Sequence, residues 1–141
     1  MRSGSRRCSR NLETSSSVGR RNLRLTREQY AARLWDWTAL NASFDRGIRL
    51  CDIDGFVEVN NRFLFIEGKP DGIIRERGQR MALERLANQP RHTVVILAGA
   101  PPATVRAWQI IGGRRHIGTM DEFVAWVRLW FEAADAGMEM E

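Results

Sequence analysis

Residues 51–69 read Cys51-Asp52-Ile53-Asp54-Gly55-Phe56-Val57-Glu58-Val59-Asn60-Asn61-Arg62-Phe63-Leu64-Phe65-Ile66-Glu67-Gly68-Lys69, two extended stretches reversed at a pair of asparagines. Residues 48–58 tolerate a β conformation, and Phe63, Leu64, Phe65 and Ile66 resume it beyond the reversal. Asparagine accepts the left-handed backbone that a two-residue hairpin turn demands. With Asn60 and Asn61 as the turn, Asp54 falls opposite Glu67 and Asp52 opposite Lys69. Strand alternation then directs Asp52, Asp54, Glu67 and Lys69 to one side of the hairpin. Directly opposed residues have Cβ atoms about 4.5–5.5 Å apart, a separation at which two carboxylates repel unless they share a cation. Hard oxygen ligands favour Mg²⁺ or Mn²⁺ over zinc. Lys69, on the same face, is placed to hold an attacking water or to neutralise charge developing on a phosphate.

A solvated hairpin face carrying mixed charges is the plain alternative. Against it, Phe63 and Phe65 share the parity of Glu67 and Lys69, so the face is partly apolar and acids pointing into it need partners. Lys69 is also the sole lysine among 22 basic residues, and a lysine can give up a proton where an arginine cannot.

Outward from the hairpin, Pro70 and Asp71 stop the second strand and open a helix over residues 72–88 that carries Ile74, Met81, Leu83 and Leu86. Residues 93–97 form a β-branched apolar run suited to a strand buried on both faces. Residues 105–111 are again extended and lead through Gly112 and Gly113 to the basic knot Arg114-Arg115-His116. Thr119 and Glu122 make a capping box before a helix with Phe123, Trp126, Val127, Trp130 and Phe131 on one stripe. On the N-terminal side, Thr26 and Gln29 form a second capping box, opening a helix over 27–40. The order helix, strand, strand, helix, strand, strand, helix describes a small mixed sheet with packed helices, an α/β or loosely α+β class.

The 141 residues suffice for one compact domain, and 43% hydrophobic content excludes a wholly disordered chain. The expected organisation is a disordered basic tail over 1–24, one domain over 25–135 and a frayed acidic end over 136–141. Of the net charge of +5, the first 25 residues contribute seven Arg against Glu13, leaving the remainder close to neutral. The tail can add sequence-independent phosphate affinity, and equally it can be a solvated arm. Cys8 and Cys51 lie in unrelated contexts, without CxxC or Cys/His spacing, so neither a disulfide framework nor a zinc site is encoded. No apolar run approaches the roughly 18–20 residues of a membrane span, and the start lacks a secretory signal, so the expected location is the cytoplasm, in a bacterium or a phage-infected host.

The order Asp54, twelve residues, Glu67-Gly68-Lys69, a helix carrying Gln79, then the apolar strand over 93–97 resembles the PD-(D/E)xK nuclease superfamily. Within it, virus-type replication-repair nuclease (VRR-NUC) domains and Holliday junction resolvases look nearest, and the similarity covers residues 26–99. The resemblance implies a restriction-endonuclease-like core of α-β-β-β-α-β order and a Mg²⁺-dependent (or Mn²⁺-dependent) phosphodiesterase acting on DNA in phage or mobile-element replication, recombination or repair. By position it makes Asp54 and Glu67 metal ligands, the Gly68 carbonyl an additional one, Lys69 the catalytic lysine and Gln79 a supporting residue. Glu28 is a candidate for the acid that some members add on the first helix. No Pro precedes Asp54, and Asp52 is a second acid of correct parity, so the choice between them stays open. Arg75, Arg114 and Arg115 are candidate nucleic-acid contacts; Arg75, with Glu76 and Glu84 interleaved on its helix, is better explained as part of a solvated face, and Arg114 and Arg115 equally well as a generic loop. The competing reading is a non-catalytic nucleic-acid or protein-binding module on the same scaffold. A third is an assembly factor displaying exposed Trp residues. A core this small can also dimerise to span a duplex.

Overall fold

The computed structural model describes residues 25–101 and 104–140, and the expectation for residues 1–24 lies outside them. The described residues divide between Asp36 and Trp37 into two compact units. The N-terminal unit holds α1 (Arg27–Ala31), opened by the anticipated capping box: Thr26 Oγ1 accepts from Gln29 N–H at 3.1 Å and Gln29 Oε1 from Thr26 N–H at 2.9 Å. The helix anticipated over 27–40 stops there, and α2 (Thr38–Asn41) is a separate single turn. Tyr30 and Leu34 are 60% and 59% exposed. With no apolar face buried, a helix of fewer than about 12–15 residues gains little beyond its caps.

In the second unit, β1 (Gly55–Val59) and β2 (Arg62–Lys69) form the hairpin, followed by α3 (Arg77–Ala87), β3 (His92–Ala100), β4 (Thr104–Ile110), β5 (Arg115–Ile117) and α4 (Met120–Asp135). The five strands make one sheet in the order β1-β2-β3-β4-β5, antiparallel throughout except for the β2–β3 pair that α3 connects. The fold is thus an α+β arrangement around a mixed sheet. Two strands precede α3 among the described residues, where the α-β-β-β-α-β order has three.

The hairpin register is the anticipated one, from Val59↔Arg62 to Gly55↔Ile66. Asn60 and Asn61 hold φ of 52° and 61°, the left-handed values of the turn. β1 is shorter than the extended stretch expected over 48–58, because residues 48–54 do not join the ladder. Gly72, at φ 75°, is outside the right-handed helical region and so close to Ala98 that a Cβ there would lie 3.0 Å from the alanine's Cβ; α3 begins at Arg77 instead of residue 72. A bulge between Ala98 and Gly99 presses Gly99 against β4, where a Cβ would meet Thr104 O at 1.8 Å.

The sheet is covered on both faces. On one, α4 sets Phe123, Trp126 and Trp130 against Leu64, Val95 and Trp108. On the other, Leu83 of α3 and Ile74 of the preceding loop cover Val94 and Ile96, with Phe65 alongside. The second capping box is formed at Thr119 and Glu122. The inward stripe of α4 is Phe123, Trp126, Trp130 and Ala134, and Phe131, expected on it, is 38% exposed beneath Arg128. The acidic end is docked where fraying was expected: Arg62 Nη2 donates to Gly137 O at 2.6 Å, its Nε pairs with Glu139 at 3.5 Å, and Met140 packs on the core. Trp108, Trp126 and Trp130 are core residues, whereas Trp35, in the N-terminal unit, is 79% exposed.

Candidate active site

Phe65, Glu67 and Lys69 stand on the α3 face of β2, alternating with Leu64 and Ile66 on the α4 face. Glu67 is therefore carried beneath α3, where it is only 5% exposed. A buried carboxylate is costly unless paired and hydrogen-bonded, and two partners meet it. Lys69 Nζ lies 2.9 Å from Glu67 Oε1, and Gln79 Nε2 donates to the same oxygen at 2.8 Å. Gln79 is itself buried, on the inward face of the first turn of α3. The second oxygen, Oε2, has only a long 3.4 Å contact from Asp54 N–H.

Asp54 sits one residue before β1. Beyond Gly55↔Ile66 the next hydrogen-bonded position of the hairpin would join Ile53 and Gly68. There the Asp54 carboxylate takes the Gly68 N–H, at 2.7 Å to Oδ2. Asp54 thus reaches the site by turning its side chain toward Gly68, while its main-chain N–H faces Glu67, a different arrangement from two carboxylates standing side by side on a ladder. Gly68 carries no side chain, and a Cβ there would lie 3.3 Å from Asp54 Oδ2.

The structure brings Asp54, Glu67, Gly68, Lys69 and Gln79 together. Asp52 remains exposed and outside the ladder, so the expected Asp52–Lys69 opposition does not form, and Lys69 pairs with Glu67. Among the described residues no group of three or more His, Cys, Asp or Glu is placed to hold a metal ion. A cation here could draw on two carboxylates, of which Asp54 Oδ1 and Glu67 Oε2 are the oxygens not spent on strong hydrogen bonds. That count suits Mg²⁺, which keeps several waters and takes one or two carboxylates, and falls short of a calcium cage or a zinc tetrahedron.

Glu28 is exposed on α1 of the N-terminal unit. Arg75 bonds Asp71 one turn back, and the hydrogen bond from Arg75, reinforced by Ile73 N–H, lowers the Asp71 carboxyl to about 2. Arg115 shares a register row with Glu67 through Ile96 and Gln109, three strand spacings or about 14 Å away. Arg114 lines a separate cavity of about 530 Å³ with His92, His116 and Trp130, at the end of the sheet where β3 begins.

Two features at the site had no sequence signal. Cys51 has its thiol pushed up first by burial, then by the charges of Glu76, Asp52 and Glu67, with Lys69 opposing. Glu76 is thus a further carboxylate close enough for its charge to act on Cys51. Placing it on a helix over 72–88 concealed this, because the chain there is a loop folded over Ala98. The second feature is a cavity of about 390 Å³ that opens beside Asp54 and Lys69. No helix among the described residues is long and apolar enough to cross a membrane. No protein-family model matches the chain, and no curated protein and no solved structure is measurably similar to it.

Proposed function

We propose that this protein is a Mg²⁺- or Mn²⁺-dependent nuclease that hydrolyses DNA phosphodiester bonds. The observation that carries the reading is the convergence on buried Glu67 of Gln79 at 2.8 Å, Lys69 at 2.9 Å and the Asp54 main chain at 3.4 Å. Glu67 is buried against the chain's only lysine, and that lysine also lines a cavity, so the paired charges lie within reach of a ligand.

Asp54 and Glu67 are the residues that would hold the cation. A divalent ion so held supplies Lewis acidity toward a phosphoryl oxygen and a water of lowered pKa. The rest falls to the protein. Gln79 fixes the Glu67 carboxylate in one rotamer and leaves Oε2 available. Gly68 N–H fixes Asp54 in the same way through Oδ2. Lys69, with its side chain 26% exposed, can present its ammonium to a phosphate while its stem stays packed, and so offset charge developing on the non-bridging oxygens.

The test is to incubate linear, circular, single-stranded and four-way-junction DNA with the protein, with and without Mg²⁺ or Mn²⁺, beside Asp54→Asn and Lys69→Met. Cleavage that requires metal and falls at least 100-fold in both variants is expected. Metal-independent cleavage, or cleavage undiminished in the variants, would overturn the assignment, and no cleavage of any substrate would favour a binding module on this scaffold.

A further inference from the structure

We infer that the cavity beside Asp54 and Lys69 receives one unpaired nucleobase of the strand being cut, so that the substrate is single-stranded or frayed nucleic acid. This rests on the nuclease reading and goes further by naming what the enzyme selects.

The cavity, about 390 Å³, lies where the parallel strands β2 and β3 end, at Lys69 and Ala100. Crevices outside the carboxyl ends of parallel strands are the habitual ligand sites of α/β sheets. Its walls are aliphatic: Ile66 and Leu97 from the α4 face of the sheet, Val105 from β4 and Met120 from the start of α4. Its rim carries Asp54 and Lys69. Gly68, also in the lining, leaves the passage from the Asp54 carboxylate into the cavity free of a side chain.

This combination selects one occupant. The volume is at the small end of ligand pockets, which span roughly 300–1,000 Å³, and suits a single planar group. Apolar walls suit the faces of a base. A cation in the lining, Lys69, suits the phosphate attached to it, and the cavity on the α4 face meets the Glu67 site on the α3 face at Lys69 and Asp54, where the strands end. Drawing a paired base out of a duplex costs a few kcal/mol, and an unpaired base carries no such penalty, so the cavity favours ends, flaps and single strands over intact duplex.

The experiment uses the full chain with Mn²⁺ and a set of single-stranded oligonucleotides in which one abasic nucleotide is moved along the sequence. Cleavage beside the abasic position should fall about tenfold, because the apolar cavity is then left without the base that fills it. Val105→Phe, which fills the cavity, should lower kcat/KM on the intact oligonucleotide by a similar factor, abolish the abasic effect and leave the heat of Mn²⁺ binding unchanged. Uniform cleavage along the abasic series would overturn the base pocket while leaving the nuclease reading in place. Should Val105→Phe fail to fold by circular dichroism, Met120→Phe replaces it, and the abasic series on the wild-type protein decides by itself. No cleavage of any oligonucleotide with Mg²⁺ or Mn²⁺ would overturn both readings.

Discussion

Gln79 shows how much of the site depends on one neutral side chain. It is buried and donates its amide to a buried carboxylate, so Gln79→Leu removes a hydrogen bond to a charged group, an effect of about 1–3 kcal/mol. Thermal unfolding should register that loss, and kcat/KM should fall more than tenfold because Glu67 Oε1 is then held only by Lys69. Equal activity in Gln79→Leu would make the contact structural alone. Asp71 offers a cleaner electrostatic reading. Its carboxyl is held at about 2 by Arg75 and Ile73 N–H. A lowered folded-state value means that the pair contributes fully above the ordinary carboxylate range and loses its contribution as pH falls through about 2. A carboxyl NMR titration should return Asp71 toward its ordinary value in Arg75→Gln. At this scale the sequence was most informative for residues whose chemistry is local. Glu67, Lys69 and Gln79 could be placed because β alternation and one turn of helix relate them. Asp52 was misplaced because alternation was extended past the end of the ladder, and nothing in the sequence marks Gly55 as the first paired residue.

Among the elements, those with strong local signals formed where expected and those depending on partners did not. The Asn60-Asn61 turn works because asparagine tolerates φ of 52° and 61°. Asn61→Val puts a β-branched side chain at that φ, and equilibrium urea unfolding should show a loss of at least about 1 kcal/mol. α4 begins at Thr119 because its hydroxyl and the Glu122 carboxylate satisfy each other's main-chain donors. Thr119→Ala should cost about 1 kcal/mol, read as a lowered Tm with an unchanged circular dichroism spectrum. The helix over 27–40 had equal capping and periodicity, yet it broke after Ala31 because Tyr30 and Leu34 bury no face. Periodicity identifies an apolar stripe without identifying what will cover it. β5 went unforeseen for the related reason that a three-residue edge strand is defined by its neighbour and not by its own composition. The loop over residues 71–76 is non-helical locally: Gly72 holds a positive φ close to Ala98, and the Asp71 carboxylate accepts from Ile73 N–H.

At the largest scale, the mixed sheet of the second unit is sandwiched between α3 and α4, and the candidate site lies at the open end of the β1–β2 hairpin, where β2 ends at Lys69. The α4 side carries most of the large aromatic packing, with Trp130 4% exposed and its indole N–H on Thr93 Oγ1 at 3.2 Å. Trp130→Ala should therefore destabilise the domain by about 3–5 kcal/mol, while the local pairings at Glu67, on the opposite face, persist in whatever fraction stays folded. The α3 side is the thinner layer, and it bears the buried carboxylate, its two partners and an anionic surround to which Asp52 and Glu76 contribute. This asymmetry puts the paired buried charges on the α3 face and most of the aromatic packing on the α4 face, and a divalent cation between Asp54 and Glu67 is the proposal it invites. Titration of the full chain with Mn²⁺ by calorimetry, beside Asp54→Asn, tests this most directly. Asparagine keeps an oxygen to accept the Gly68 N–H and removes only the charge, so the fold is retained. Heat corresponding to one ion per chain in the wild type and none in Asp54→Asn is the predicted result; no heat in either protein, or equal heat in both, would contradict a cation held between Asp54 and Glu67.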